Sequence, residues 1–96
     1  MATFVSLMNF TDQGIRNVKE TANRFEAFQT VTAALGVKVV SAYWTVGSHD
    51  IVITLEGTDE AVTTALLKLG SLGNVRSQTL RAYPIDEMKR ILAAIP

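Results

Sequence analysis

The chain has 96 residues, 48% of them hydrophobic, with nine Lys plus Arg balancing nine Asp plus Glu, one histidine and no cysteine. That length suits one compact domain over residues 1–96 that buries about 60–65% of its unfolded surface, and the missing cysteines exclude disulfides, thiol catalysis and cysteine-based metal sites. The basic residues are scattered from Arg16 to Arg90 instead of forming the clustered face that nucleic acid requires, and no apolar run approaches the roughly 18–20 residues of a membrane helix. The expectation is therefore a cytoplasmic protein with neither nucleic acid nor membrane as a partner.

In chain order, TFVSLMN (residues 3–9) is rich in β-formers and short enough for a strand. Thr11 is placed to cap a helix and Asp12 to suit its dipole. Ile15, Val18, Ala22, Phe25, Phe28, Thr32 and Leu35 recur at steps of three and four, which predicts one buried stripe. Thr21-Ala22-Asn23 either bends or restarts this helix, and Gly36 supplies its αL stop. Residues 37–46 are β-branched and aromatic, and residues 51–55 form a second apolar run. The tetrapeptide Gly47-Ser48-His49-Asp50 between them reads as a hairpin turn, with Gly47 at positive φ.

Thr58-Asp59-Glu60 opens a second helix, with Val62, Ala65, Leu66, Leu69 and Leu72 facing inward, that ends among Gly70 and Gly73. NVRSQTLRAY (residues 74–83) is a fourth strand. Pro84 suits the first turn of a last helix, whose Ile85, Met88, Ile91, Leu92 and Ile95 are expected to be buried. The order βαββαβ plus a C-terminal helix predicts a ferredoxin-like α+β fold with a four-stranded antiparallel sheet in the order 4-1-3-2.

In that fold the central strands are apolar on both faces: Phe4 and Met8 oppose Val5 and Leu7, and Ile51, Ile53 and Leu55 oppose Val52. Helices cover one face of the sheet. Leaving the other in water exposes a larger patch than a soluble monomer usually tolerates. The simplest cover is a second copy, giving a dimeric α/β barrel that buries on the order of 800 Å² per partner; the alternative is a monomer whose last helix crosses to the open face.

The same topology brings three polar loops to one end of the sheet: Asn9, Asp12 and Gln13 approach Gly47, His49 and Asp50, and Asn74 with Arg76. Convergent polar groups at the mouth of an apolar barrel are a starting point for a small-molecule site, and the helix start offers N–H donors to an anion. The same residue types also serve turns. His49 beside Asp50 suggests acid–base work near neutral pH, yet neighbours near a strand start point to opposite faces. Asp50 is expected to accept backbone N–H bonds within the hairpin or to pair with Arg76. One histidine is a thin basis for a metal site, so no metal or other cofactor is expected, although His49 as a haem ligand stays open. Tyr43 and Trp44 alternate across the second strand, as core, interface or a stacking platform for a planar ligand.

LMNFTDQGIRNVKET, YWTVGSHDIVITLEG and LGSLGNVRSQTLRAY together resemble the GYD family of small bacterial proteins, named for a Gly-x-Tyr-Asp motif at the hairpin. The resemblance spans nearly the whole chain. It places Gly47 and Asp50 on the motif's Gly and Asp, and His49 where the family usually has Tyr. It also implies kinship with dimeric α/β barrel proteins, a group that includes cofactor-free monooxygenases, haem-handling enzymes and effector-binding domains. Two function classes follow: a homo-oligomeric module that binds or senses a small molecule, and a cofactor-independent monooxygenase-like or isomerase-like enzyme using His49 with Asp50, Tyr43 or Trp44.

Overall fold

A computed structural model describes residues 1–96. Strand β1 (Ala2–Phe10) leads into a short helix α1 (Asp12–Arg16), a 3-10 turn (Val18–Glu20) and helix α2 (Thr21–Ala34). Strands β2 (Lys38–Trp44) and β3 (Ile51–Gly57) form the hairpin, followed by α3 (Asp59–Ser71), β4 (Val75–Ala82) and α4 (Ile85–Ala93). The sheet is antiparallel in the order β2-β3-β1-β4, the expected arrangement read from the opposite edge.

Period-two alternation decides which side chains meet the helices. Ile51, Ile53 and Leu55 of β3 stand opposite Met8, Ser6 and Phe4 of β1, and this face carries the core with Phe28, Val37, Val62, Ala65 and Val75. Burying each large apolar side chain there contributes about 1.5–3 kcal/mol. Ser6 is fully buried in the same layer, and its hydroxyl is satisfied by the Thr79 hydroxyl at 3.0 Å. The opposite face presents Val5, Leu7 and Val52, half-buried, with Leu80 and Tyr43 exposed beside them. The β2–β3 register shifts between Val39 and Ser41, so Val40 forms a bulge on the outer edge of the sheet.

The helix ends follow the capping chemistry in the sequence. Thr11 and Thr58 accept from the amides of Gly14 and Ala61, each at 3.1 Å. Gly36, at φ 73°, closes α2 in a Schellman arrangement, with the Val37 amide donating to Thr32 O at 2.8 Å and the Gly36 amide to Ala33 O at 3.2 Å.

Two expectations about buried stripes are corrected. The helix restarts at Thr21, one of the two outcomes expected there, but it has already stopped at Arg16 and passed through the 3-10 turn, so Ile15, Val18 and Ala22 of the stripe are exposed and the core receives Phe28 and Thr32, with Phe25 and Leu35 half-buried. The last helix buries nothing. Every residue of α4 except Glu87 is exposed, including Ile85, Met88, Ile91 and Leu92, and Ile95 beyond its end is exposed too. It does not cross to the open sheet face but extends from the body, and the molecule measures 51 × 31 × 18 Å. Its radius of gyration of 14.6 Å exceeds the roughly 12.5 Å of a compact chain this long. At its base Arg81 pairs with Glu87 at 3.4 Å and lies 4.5 Å from the ring centre of Tyr83.

Candidate functional site

The hairpin tip and the end of β1 are joined by side-chain bonds. Asn9 Nδ2 donates to Ser48 O at 2.8 Å, which turns its Oδ1 toward His49 Nδ1 at 3.1 Å. A carboxamide oxygen accepts only, so His49 Nδ1 carries the proton, and in the neutral ring Nε2 keeps a free lone pair. Asp50 grips β1 twice: its amide donates to Met8 O at 2.8 Å, and its Oδ2 accepts from the Phe10 amide at 2.8 Å. That carboxylate satisfies an N–H beyond the last β3 partner of β1. Asp50 thus bonds neither to the hairpin's own amides through its side chain nor to Arg76, contrary to expectation. The loop itself is closed by the Thr45 amide on Asp50 O and the Thr45 hydroxyl on His49 O, with Gly47 at φ 151°.

A second cluster clamps the start of α1 to the turn before β4. The Thr11 amide donates to Asn74 O at 3.1 Å and its hydroxyl to Gly73 O at 2.5 Å. Gln13 Nε2 donates to Leu72 O at 3.1 Å and Asn74 Oδ1 at 3.0 Å. Gly14 is buried so close to this turn that a Cβ on it would lie 1.9 Å from Asn74 O. Gln13 Nε2 and Asn74 Oδ1 are therefore engaged within this clamp. The anion-binding expectation for the first helix is not carried: α1 has five residues and the Gly14 amide is taken by Thr11.

The remaining candidates separate. Arg76 pairs in register with Asn9 on the open face and is exposed. Asp12 is exposed in the first turn of α1 and joins no side-chain bond. Tyr43 lies on the open face beside Val52, whereas Trp44 turns to the helices, edge-on to Phe25 at 5.7 Å with its indole N–H donating to Thr21 Oγ1 at 3.0 Å. The two aromatics do not share one platform.

The helical side holds a concavity that no sequence motif signals. A cleft of about 340 Å³ lies between α2 and α3, with Arg24 and Lys68 among its lining residues. No group of His, Asp or Glu is arranged to hold a metal ion, and no helix is long and apolar enough to cross a membrane.

Fold and loops together define a ferredoxin-like α+β protein with a polar rim at one end of its sheet. A model of the GYD domain matches residues 4–92, and the chain belongs to that family. It is similar to a Thermus thermophilus protein named glutamine synthetase and cystathionine beta-lyase binding protein, 36% identical over 90 residues that make up 92% of this chain and 95% of the relative. Among solved structures it resembles TTHA0845, also of Thermus thermophilus, with 28% identity, a TM-score of 0.53, and coverage of 88% of this chain and 99% of that one. A candidate glycine cleavage system transcriptional repressor shares the fold alone, at 14% identity and a TM-score of 0.52, over 88% of this chain and 47% of its own.

Proposed function

We propose that this protein is a homo-oligomeric binding module that holds a small molecule instead of transforming it, with two sheets packed face to face about a two-fold axis. The observation that carries this reading is the open sheet face, where Val5, Leu7, Val52, Leu80 and Tyr43 form an apolar centre that no helix of the same chain covers. The bare apolar side of α4 adds surface of the same kind. A standard interface buries roughly 800 Å² per partner, and these two apolar surfaces are the ones a second copy would cover. At the rim, the bonds of His49 and Asp50 to β1 support a positioning role for both, while His49 Nε2 and the Arg76 guanidinium remain available to a polar ligand.

Sedimentation at micromolar concentration tests the assembly. The expected species is a dimer or larger, and Leu7→Arg, which places a charge in the middle of the packed faces, yields a folded monomer by circular dichroism. A wild-type chain that sediments as a single folded subunit overturns the reading.

A second reading has its own support: the 36% identical relative is named for binding glutamine synthetase and cystathionine beta-lyase. On this reading the module docks on an enzyme of amino-acid metabolism. Surface plasmon resonance with purified enzymes of these two kinds checks it. Absence of a response at micromolar enzyme removes it without touching the dimer.

A further inference from the structure

The cleft between α2 and α3 has the shape and charge of a ligand site built within one chain. Its walls are Ala27, Phe28 and Val31 of α2, with Leu69 of α3 and Leu72 just beyond it. At about 30 Å³ of liquid volume per water-sized group, 340 Å³ accommodates roughly ten non-hydrogen atoms. A smaller recess shares Arg24, Phe28 and Leu69 with the cleft and continues inward to Met8, Ile51 and Ile53 on the sheet. The space therefore has apolar walls and an apolar floor, the usual composition of a small-molecule pocket with a few polar groups to set orientation.

Of the three polar residues in its lining, Arg24 and Lys68 are cationic and Asn74 is neutral. Arg24 is held in place from behind, Nη1 donating to Asn17 O at 2.8 Å and Nη2 to Gly14 O at 3.3 Å. Two of its five N–H donors are so used, and three remain. Lys68 stands across the cleft on α3, and the single ion pair of the molecule, Arg81–Glu87, involves neither cation. No acidic side chain lines the cleft. A positioned guanidinium and a free ammonium, with no carboxylate between them, complement an anionic head group.

We infer that this cleft binds a small carboxylate with an apolar tail, its carboxylate between Arg24 and Lys68 and its tail directed past Phe28 and Leu69 toward the sheet. The inference goes beyond the binding-module reading, which offers a ligand the hairpin rim, by assigning a separate site with its own ligand class on the helical side. It does not depend on the dimer, because one chain supplies every wall.

Octanoate is the probe and octanol its neutral control. In two-dimensional amide NMR of the wild-type protein, octanoate is expected to shift resonances of residues 24–31 and 68–74, with a dissociation constant on the order of 1 mM or tighter. Lys68→Glu weakens octanoate about tenfold and leaves octanol unchanged. Ala27→Trp fills the cleft from an exposed position and abolishes binding of both without unfolding the chain. Repeating the titration on the monomeric Leu7→Arg variant separates this site from the assembly: shifts that persist there support the cleft whatever the oligomer. Shifts confined to the open sheet face or the hairpin overturn it, as do equal responses of wild type and Lys68→Glu to octanoate, or no shift at millimolar probe. Dissociation of the oligomer by octanoate, with the cleft residues already protected beforehand, assigns the space to a second copy and also overturns it.

Discussion

Gly14→Ala tests the clamp that sets the position of α1 and the turn before β4. The added methyl carbon meets Asn74 O at 1.9 Å, whereas ordinary contact begins at 3.4 Å, so backbone must move by the difference, about 1.5 Å. Such a movement takes the Thr11 amide out of bonding range of Asn74 O, now at 3.1 Å, and strains the bonds of Thr11 to Gly73 and of Gln13 to Leu72. Three bonds at about 1 kcal/mol each, less up to about 1 kcal/mol returned by the better helix propensity of alanine, predict a net loss of about 2–3 kcal/mol. For a chain of this length that lowers Tm by about 10–20 °C. Gly70→Ala is the matched control. Nothing lies within 4 Å of its Cβ position in α3, so the substitution is expected to stabilise by about 0.5–1 kcal/mol. Urea unfolding followed by circular dichroism, at one fixed protein concentration because self-association raises apparent stability, compares the two. A Gly14→Ala protein within about 0.5 kcal/mol of wild type refutes the clamp.

Three other substitutions probe the hairpin and its neighbours. Asp50→Ala removes the acceptor of the Phe10 amide and is expected to cost about 1–2 kcal/mol in urea unfolding, with Asp50→Asn costing less because its carbonyl oxygen still accepts. Trp44→Phe keeps the ring against Phe25 but loses the bond to Thr21, for a loss of about 1 kcal/mol by the same assay. His49→Phe leaves Asn9 Oδ1 without its donor. The expected outcome by calorimetric titration is ligand affinity within a few-fold of wild type, whereas a catalyst working through this imidazole loses about 10²–10⁴-fold in turnover.

Much of the fold was legible because local chemistry and the global arrangement agree. Thr11 and Thr58 cap helices, Gly36 and Gly73 adopt the positive φ their places in the sequence suggest, and the alternation in Ile51–Leu55 fixes which face of β3 is covered. What failed to show is non-local. The periodic stripe from Ile15 to Leu35 continues in sequence through a 3-10 turn, and periodicity does not register the lost phase. In α4 the amphipathic pattern is real, but such a pattern demands a cover without saying which element, or which chain, supplies it. The bond from Asp50 to Phe10 spans 40 residues, so Gly-Ser-His-Asp read alone as a turn gave no hint that its carboxylate caps the end of a central strand. The cleft depends on the angle between α2 and α3, which no motif encodes; Arg24 and Lys68 looked like ordinary surface cations until the two helices placed them on one concavity.

The bulge at Val40 has a consequence for growth sideways. By breaking the even spacing of donors and acceptors along the outer margin of β2, it denies a foreign strand a continuous template there, while β4 offers eight unbroken residues on the other margin. An endless ribbon needs two adhesive margins on every chain. With one blunted, lateral addition through β4 would halt after a single pairing, which leaves no geometry for an open-ended ribbon.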